Sequence, residues 1–135
     1  MLGGQNLNIS LAGGILKDNE GRILLLHRNT FELKQWELPG GKIENNEKPN
    51  EAAIRELEEE LGVCVSIINY LGNKEFVENG CIMNYYWYEC IIIQGTPRVM
   101  ENKFDMLKFW SVSDLDEIYD ELSPNMKNLL SLLSH

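Results

Sequence analysis

"GGKIENNEKPNEAAIRELEEELGV", residues 40–63, is the stretch on which the fold turns. It holds seven acidic residues against three basic ones, and Glu56, Glu58, Glu59 and Glu60 fall within five positions. Like charges at i,i+4 on a helix repel by a few tenths of a kcal/mol per pair. A crowd of carboxylates directly behind two glycines therefore needs a reason. Pro49 suits a first helical turn, Ala52 and Ala53 favour helix, and Gly62 suits a stop. These residues predict a helix over 49–61.

On a helical wheel with Arg55 at zero, Glu59 falls at about 40°, Glu56 at about 100° and Glu60 at about 140°. These three glutamates share one face. Ile54, Leu57 and Leu61 fall at about 200–260°, the expected core face, and Glu51 and Glu58 at about 300–320°. Ala52 and Ala53 flank the carboxylates and are expected to leave room beside them. Arg55 can reach Glu59 and Glu51, whereas Glu56 and Glu60 have no Lys or Arg three or four residues away. A solvated acidic face is the plain reading of such a run. Against it stand this missing compensation and the loop opening Pro39-Gly40-Gly41, where backbone approaches a ligand closely. Carboxylates and loop carbonyls are hard oxygen ligands that suit Mg²⁺ or Mn²⁺ rather than zinc.

Outward from this stretch, residues 8–18 and 22–28 read as two strands joined by a turn at Asn19-Glu20-Gly21. Residues 29–48 read as a polar loop punctuated by Gly and Pro. Residues 63–77 and 81–95 read as β-strands joined by a hairpin turn at Glu78-Asn79-Gly80, and 106–112 as a further strand. Residues 123–133 form an amphipathic helix capped by Ser123, with Pro124 first. Strands, helix, strands, helix predicts a layered α/β or α+β domain, and the hairpins favour a mixed sheet. No repeat or linker divides the 135 residues, so one domain over 1–135 is expected.

The formal net charge of −9 and the lack of a Lys/Arg cluster argue against binding duplex nucleic acid or a membrane surface. A phosphate-bearing substrate would need a cation to bridge it to such a chain. Cys64, Cys81 and Cys90 are odd in number and lack CxxC spacing. They are expected to be free buried thiols in a reduced, cytoplasmic setting. "MLGGQNLN" lacks the features of a signal peptide, and no apolar run is long enough to span a bilayer.

The stretch resembles the signature of the Nudix hydrolase (MutT-like) family. That signature is Gly, five residues, Glu, seven residues, then Arg-Glu-aliphatic-any-Glu-Glu-any-Gly-aliphatic. Gly41, Glu47, Arg55, Glu56, Leu57, Glu59, Glu60, Gly62 and Val63 fill every fixed position of this box, 41–63. "WELPGGK" (36–42) also looks like the family's lead-in. The resemblance implies an α/β/α sandwich with a central mixed sheet between helices. It also implies Mg²⁺- or Mn²⁺-dependent hydrolysis of a pyrophosphate bond in a nucleoside diphosphate linked to another moiety. By position, Glu56, Glu59 and Glu60 would bind metal, and Glu56 or Glu59 would act as base. The Gly40 carbonyl would add a ligand. Arg55 and Glu47 would form an orienting pair, with Gly41 and Gly62 shaping the backbone.

A nucleoside triphosphate, oxidised or ordinary, is the expected substrate. ADP-ribose, other nucleotide sugars, dinucleoside polyphosphates and capped RNA stay as alternatives, as does a sensing domain that binds nucleotides without hydrolysis. Sensing domains tend to lose box carboxylates, and none is lost here. Arg28 and Lys42 are candidate phosphate contacts, and Glu37 and Leu38 candidate pocket floor. Trp36 is weighed as a base-stacking ring against simple loop packing. Glu101 is the first candidate for an extra metal carboxylate and Asp105 the second. Asn125 is weighed as a base reader against a helix-terminal role. Of Tyr85, Tyr86, Trp87 and Tyr88, half are expected in the core and half lining a surface or cleft, and the segment is a candidate interface. His27 and His135 carry no functional signal. A monomer or homodimer is expected.

Overall fold

The structure is a computed structural model and describes residues 7–133. The leading residues 1–6 and His135 lie outside the described residues. In chain order come β1 (Asn8–Leu16), β2 (Ile23–Asn29), β3 (Lys34–Glu37), β4 (Gly40–Lys42), α1 (Pro49–Leu61) and β5 (Cys64–Glu78). Then follow β6 (Cys81–Gln94), β7 (Phe104–Trp110), α2 (Val112–Glu117), a 3₁₀ turn (Tyr119–Glu121) and α3 (Pro124–Leu133).

The strands form two sheets. The first, ordered β4-β1-β6-β5, is mixed, with β1 and β6 parallel and the other pairs antiparallel. The second, β3-β2-β7, is antiparallel throughout. Side chains alternate across both sheets. Ala12, Leu16, Leu24, Leu26, Tyr88 and Cys90 join the core under α1. Their odd-numbered neighbours Ile15, Ile23, Leu25, Tyr85 and Trp87 join the core under α2 and α3. Strands covered on both faces read as continuous apolar runs, which accounts for Ile23 to Leu26. The expected sandwich of sheet between helices is borne out.

Four local readings are corrected. The strands 8–18 and 22–28 do not pair as a hairpin but lie in different sheets, touching through one Lys17–Ile23 bridge. The loop 29–48 contains β3 and β4, which are too short to show a period. A helix after β7 was not anticipated, although Ser111 caps it by accepting the Asp114 N–H (3.1 Å). Ala52 and Ala53 are fully buried against the sheet, so they leave no space beside the carboxylates, and Ile54 is only half buried. The buried arc of α1 runs through Ala53, Leu57 and Leu61 and takes in Glu60.

Other turns agree with their chemistry. Gly62 caps α1 at φ 71, and its N–H donates to the Glu58 carbonyl (2.9 Å). Asn79 and Gly80 both take positive φ, as the tight turn between β5 and β6 requires. The aromatic segment of β6 is more buried than simple alternation suggests. Tyr85, Trp87 and Tyr88 are buried and Tyr86 half-buried, because β6 is an inner strand. It is therefore not a free interface. All three cysteines are unpaired; Cys90 is buried, while Cys64 and Cys81 are only half-buried. Among the described residues no helix is long and apolar enough to cross a membrane.

Candidate functional site

A cleft of about 510 Å³ opens where β4, the start of β3, α1 and the loop before β7 meet. Its position follows from how β4 is held. Gly14 donates to the Pro39 carbonyl (3.1 Å) and Ile43 to the Ser10 carbonyl (2.9 Å). Antiparallel ladders alternate, so the polar groups of Gly40 and Lys42 point away from β1. Both are used towards α1. The Gly40 N–H donates to Glu60 Oε1 (2.8 Å), and the Lys42 carbonyl accepts from Arg55 Nη2 (2.9 Å).

The approach of strand and helix is close. A Cβ on Gly41 would sit 2.6 Å from the carboxyl carbon of Glu56. One on Gly40 would run into the Tyr85 hydroxyl and the Ala12 carbonyl. Glycine is needed at Gly40, where backbone and the aromatic ring fill the space, whereas at Gly41 a side chain would push the Glu56 carboxyl aside.

Arg55 ties the box together. Its Nε and Nη2 donate to the two oxygens of Glu47 (2.7 and 2.9 Å). Its Nη1 donates to Glu56 Oε2 (2.9 Å) and to Glu59 Oε1 (3.2 Å). The wheel left Glu56 without a cation, and the structure corrects this: Arg55 folds across its own neighbour. Its reach to Glu51 is not used, since Glu51 accepts the Lys48 N–H (2.8 Å) at the helix start. The bidentate pair lowers the Glu47 pKa and raises that of Arg55. Burial raises the Glu56 carboxyl, partly offset by Arg55.

Glu60 is the extreme case. It is 3% exposed, and burial pushes its carboxyl up to about 8 despite the Gly40 N–H. Lys103 Nζ approaches it at 3.9 Å. Glu60 lies behind the cleft wall, whereas Glu56, Glu59, Gly40 and Gly41 line the cleft itself.

The remaining candidates divide. Arg28 lines the cleft but is held by Glu37, with Nη2 at 3.1 Å from Oε1 and a second bond from Nε to Oε2. Leu38 is buried at the floor, and Lys42 is exposed at the rim. Asn125 lines the cleft too, while its Oδ1 accepts the buried Trp87 Nε1–H (2.9 Å). Glu101 reaches the cleft from the loop before β7. Asp105 does not. It accepts from Asn29 Nδ2 (2.7 Å) and pairs with His27 Nδ1 (2.8 Å) on the far side of the β2–β7 ladder, so its proposed metal role is withdrawn. Trp36 is buried between His27 and Trp110 at centroid distances of 4.8 and 5.0 Å, so it packs and cannot stack on a base. Gly62 lies at the opposite end of α1 from the loop, away from the cleft lining.

Sequence reasoning missed Lys103 and Glu78, which also line the cleft, as does Tyr85, one of the four aromatics of which half are expected at a surface or cleft. Glu78 sits at the tip of the β5–β6 hairpin beside Phe76 and Met83, an apolar end of the cleft. Hairpin register alone brings these residues to the site, and no local pattern announces that. Lys103 had a signal: it is the sole cation within two residues of Glu101.

The donor set fits a hard divalent cation. Glu56, Glu59 and Glu101 offer carboxylate oxygens to the cleft, and Glu101 Oε1 is buried with no hydrogen-bond donor. Among the described residues no three acidic, imidazole or thiol groups stand close enough to form a ready-made cluster.

Comparison with known proteins points the same way. The family model of the NUDIX domain matches residues 9–133. The RNA pyrophosphohydrolase of Saccharophagus degradans is 45% identical over 60 residues, covering 44% of this chain and 35% of that protein. The 8-oxo-dGTP diphosphatase of Proteus vulgaris is 38% identical over 63 residues, covering 43% of this chain and 54% of that one. The chain thus spans between a third and little over half the length of these relatives. The solved structure of a MutT NUDIX hydrolase from Burkholderia pseudomallei superposes with a TM-score of 0.79 at 27% identity, covering 94% of this chain and 98% of that one.

Proposed function

The chain belongs to the NUDIX domain family, and from that premise we propose that it hydrolyses a pyrophosphate bond in a nucleoside triphosphate, oxidised bases included, with Mg²⁺ or Mn²⁺ bound. One observation carries the reading. Glu56 and Glu59 of α1 and the glycine backbone of β4 face the same cleft, with Arg55 and Glu47 bracing them from behind. The cleft volume of about 510 Å³ suits a nucleotide-sized ligand.

Glu56, Glu59, Glu101 and the Gly40 carbonyl would hold the metal from the cleft side, and Glu60, expected from the motif to join them, lies behind the wall and ties β4 to α1 through the Gly40 N–H. When bound, a divalent cation lowers the pKa of water and neutralises charge developing on the phosphates. Glu56 or Glu59 takes the proton of the attacking water. Arg55 fixes both glutamates from one nitrogen and Glu47 from its other edge, so their orientation is set before substrate arrives.

Net charge supports the need for a cation. Glu37, Glu56, Glu59, Glu78 and Glu101 outnumber Arg28, Lys42 and Lys103 along the cleft. Arg28 is already neutralised by Glu37, which leaves Lys42 free of any ion pair among the described residues to meet the phosphates. The apolar wall of Leu11, Leu33, Phe76 and Met83 gives a base somewhere to lie. The names of the relatives favour nucleoside triphosphates and RNA as the classes to try first. The test is a panel of nucleotide pyrophosphates incubated with Mg²⁺ and Mn²⁺. Turnover of a nucleoside triphosphate to monophosphate and pyrophosphate is expected; turnover confined to nucleotide sugars or dinucleoside polyphosphates would overturn the substrate assignment.

A further inference from the structure

We propose that Lys103 is a built-in counter-cation of the metal-binding carboxylates, displaced from them when a divalent ion enters. This rests on the metal-dependent reading above and adds a residue that the family motif does not contain. Lys103 Nζ stands 3.6 Å from Glu101 Oε1 and 3.9 Å from Glu60 Oε2, bridging a carboxylate of the loop and one of α1. Both are outside hydrogen-bonding reach, and Glu101 Oε1 is buried without any donor. The ammonium is therefore held by charge and by the Phe104 ring, 5.2 Å from its centroid, rather than by directional bonds.

The backbone on either side is fixed. Asn29 N–H donates to the Lys103 carbonyl (2.8 Å), and Phe104 N–H to the Glu101 carbonyl (3.2 Å). The stem of Lys103 thus starts from a set point, and only its head moves. The Lys103 side chain is 39% exposed, whereas the Glu60 side chain it faces is 4% exposed. Its open side is the cleft, where a displaced ammonium meets the polyphosphate beside Lys42. A lysine suits this exchange, being a compact charge on a flexible stem.

Metal affinity in the absence of nucleotide tests the idea without relying on turnover. Mn²⁺ alone is titrated into the protein by calorimetry and by electron paramagnetic resonance, for wild type, Lys103→Gln and Lys103→Arg. Lys103→Gln is expected to bind Mn²⁺ on the order of 5- to 10-fold more tightly, since one competing charge is gone. Lys103→Arg is expected to stay within about 2-fold of wild type, and the nucleotide KM of Lys103→Gln to rise. Equal or weaker Mn²⁺ binding by a folded Lys103→Gln overturns the proposal alone. Absence of Mn²⁺ binding by the wild type overturns it together with the metal-dependent reading.

Discussion

At the scale of single residues, Glu60 and Gly41 carry the most informative chemistry. Glu60 is a carboxyl buried behind the cleft, with a folded-state pKa near 8 against an ordinary 4.5. Its protonated form is the one favoured on folding. The stability it contributes is therefore complete below the ordinary value and is lost as pH rises through the interval up to about 8. Chemical denaturation in chelator between pH 5.5 and 8.5 checks this. Wild type is expected to lose stability relative to Glu60→Gln across that range, and parallel curves would contradict it. Gly41 is a matter of space. Gly41→Ala places a methyl within 2.6 Å of the Glu56 carboxyl carbon, so Glu56 must turn away. We expect kcat/KM to fall by about 100-fold with the melting temperature little changed, and unchanged kinetics would show that Glu56 has no fixed role. The composition of this site was legible because its residues are consecutive on one helix and one loop, where spacing dictates proximity. Which glutamate faces the cleft was less legible: the wheel grouped Glu60 with Glu56 and Glu59, and burial separated it.

At the scale of elements, the long strands, α1 and α3 declare themselves through apolar runs, proline starts and glycine or serine caps. The short strands β3 and β4 and the six-residue α2 do not, because so few residues cannot express a period. Pairing was hidden for a different reason. Nothing local in β1 or β2 says that they join separate sheets; that depends on β6 inserting parallel to β1 from far along the chain. The cross-element contact between β6 and α3 gives a prediction at this scale. Asn125→Leu removes the acceptor of the buried Trp87 indole N–H. Leaving that donor unpaired is expected to cost about 2 kcal/mol in urea denaturation, and a loss below about 0.5 kcal/mol would mean that α3 is not anchored through this bond. Arg55 works at the same scale, since one guanidinium joins α1 to the loop at Glu47 and to β4 at Lys42.

At the scale of the whole molecule, an acidic chain closes a cleft around its own carboxylates and leaves only a few cations facing it. Such a surface repels polyphosphate unless a metal ion mediates. Metal binding to the folded state alone raises stability by mass action, by about 2.7 kcal/mol at a concentration 100-fold above Kd. A rise in melting temperature with Mn²⁺, reduced in Glu59→Gln, is the expected outcome in differential scanning calorimetry; an identical rise in both proteins would place the metal elsewhere. The most direct test follows the chemistry itself. Wild type and Glu59→Gln are incubated with a nucleoside triphosphate with and without Mg²⁺, and the products are followed by phosphorus NMR. We predict monophosphate and pyrophosphate from the wild type only when Mg²⁺ is present, and a rate at least about 100-fold lower from a folded Glu59→Gln. Equal rates from the two proteins, or cleavage that continues in chelator, would contradict the account.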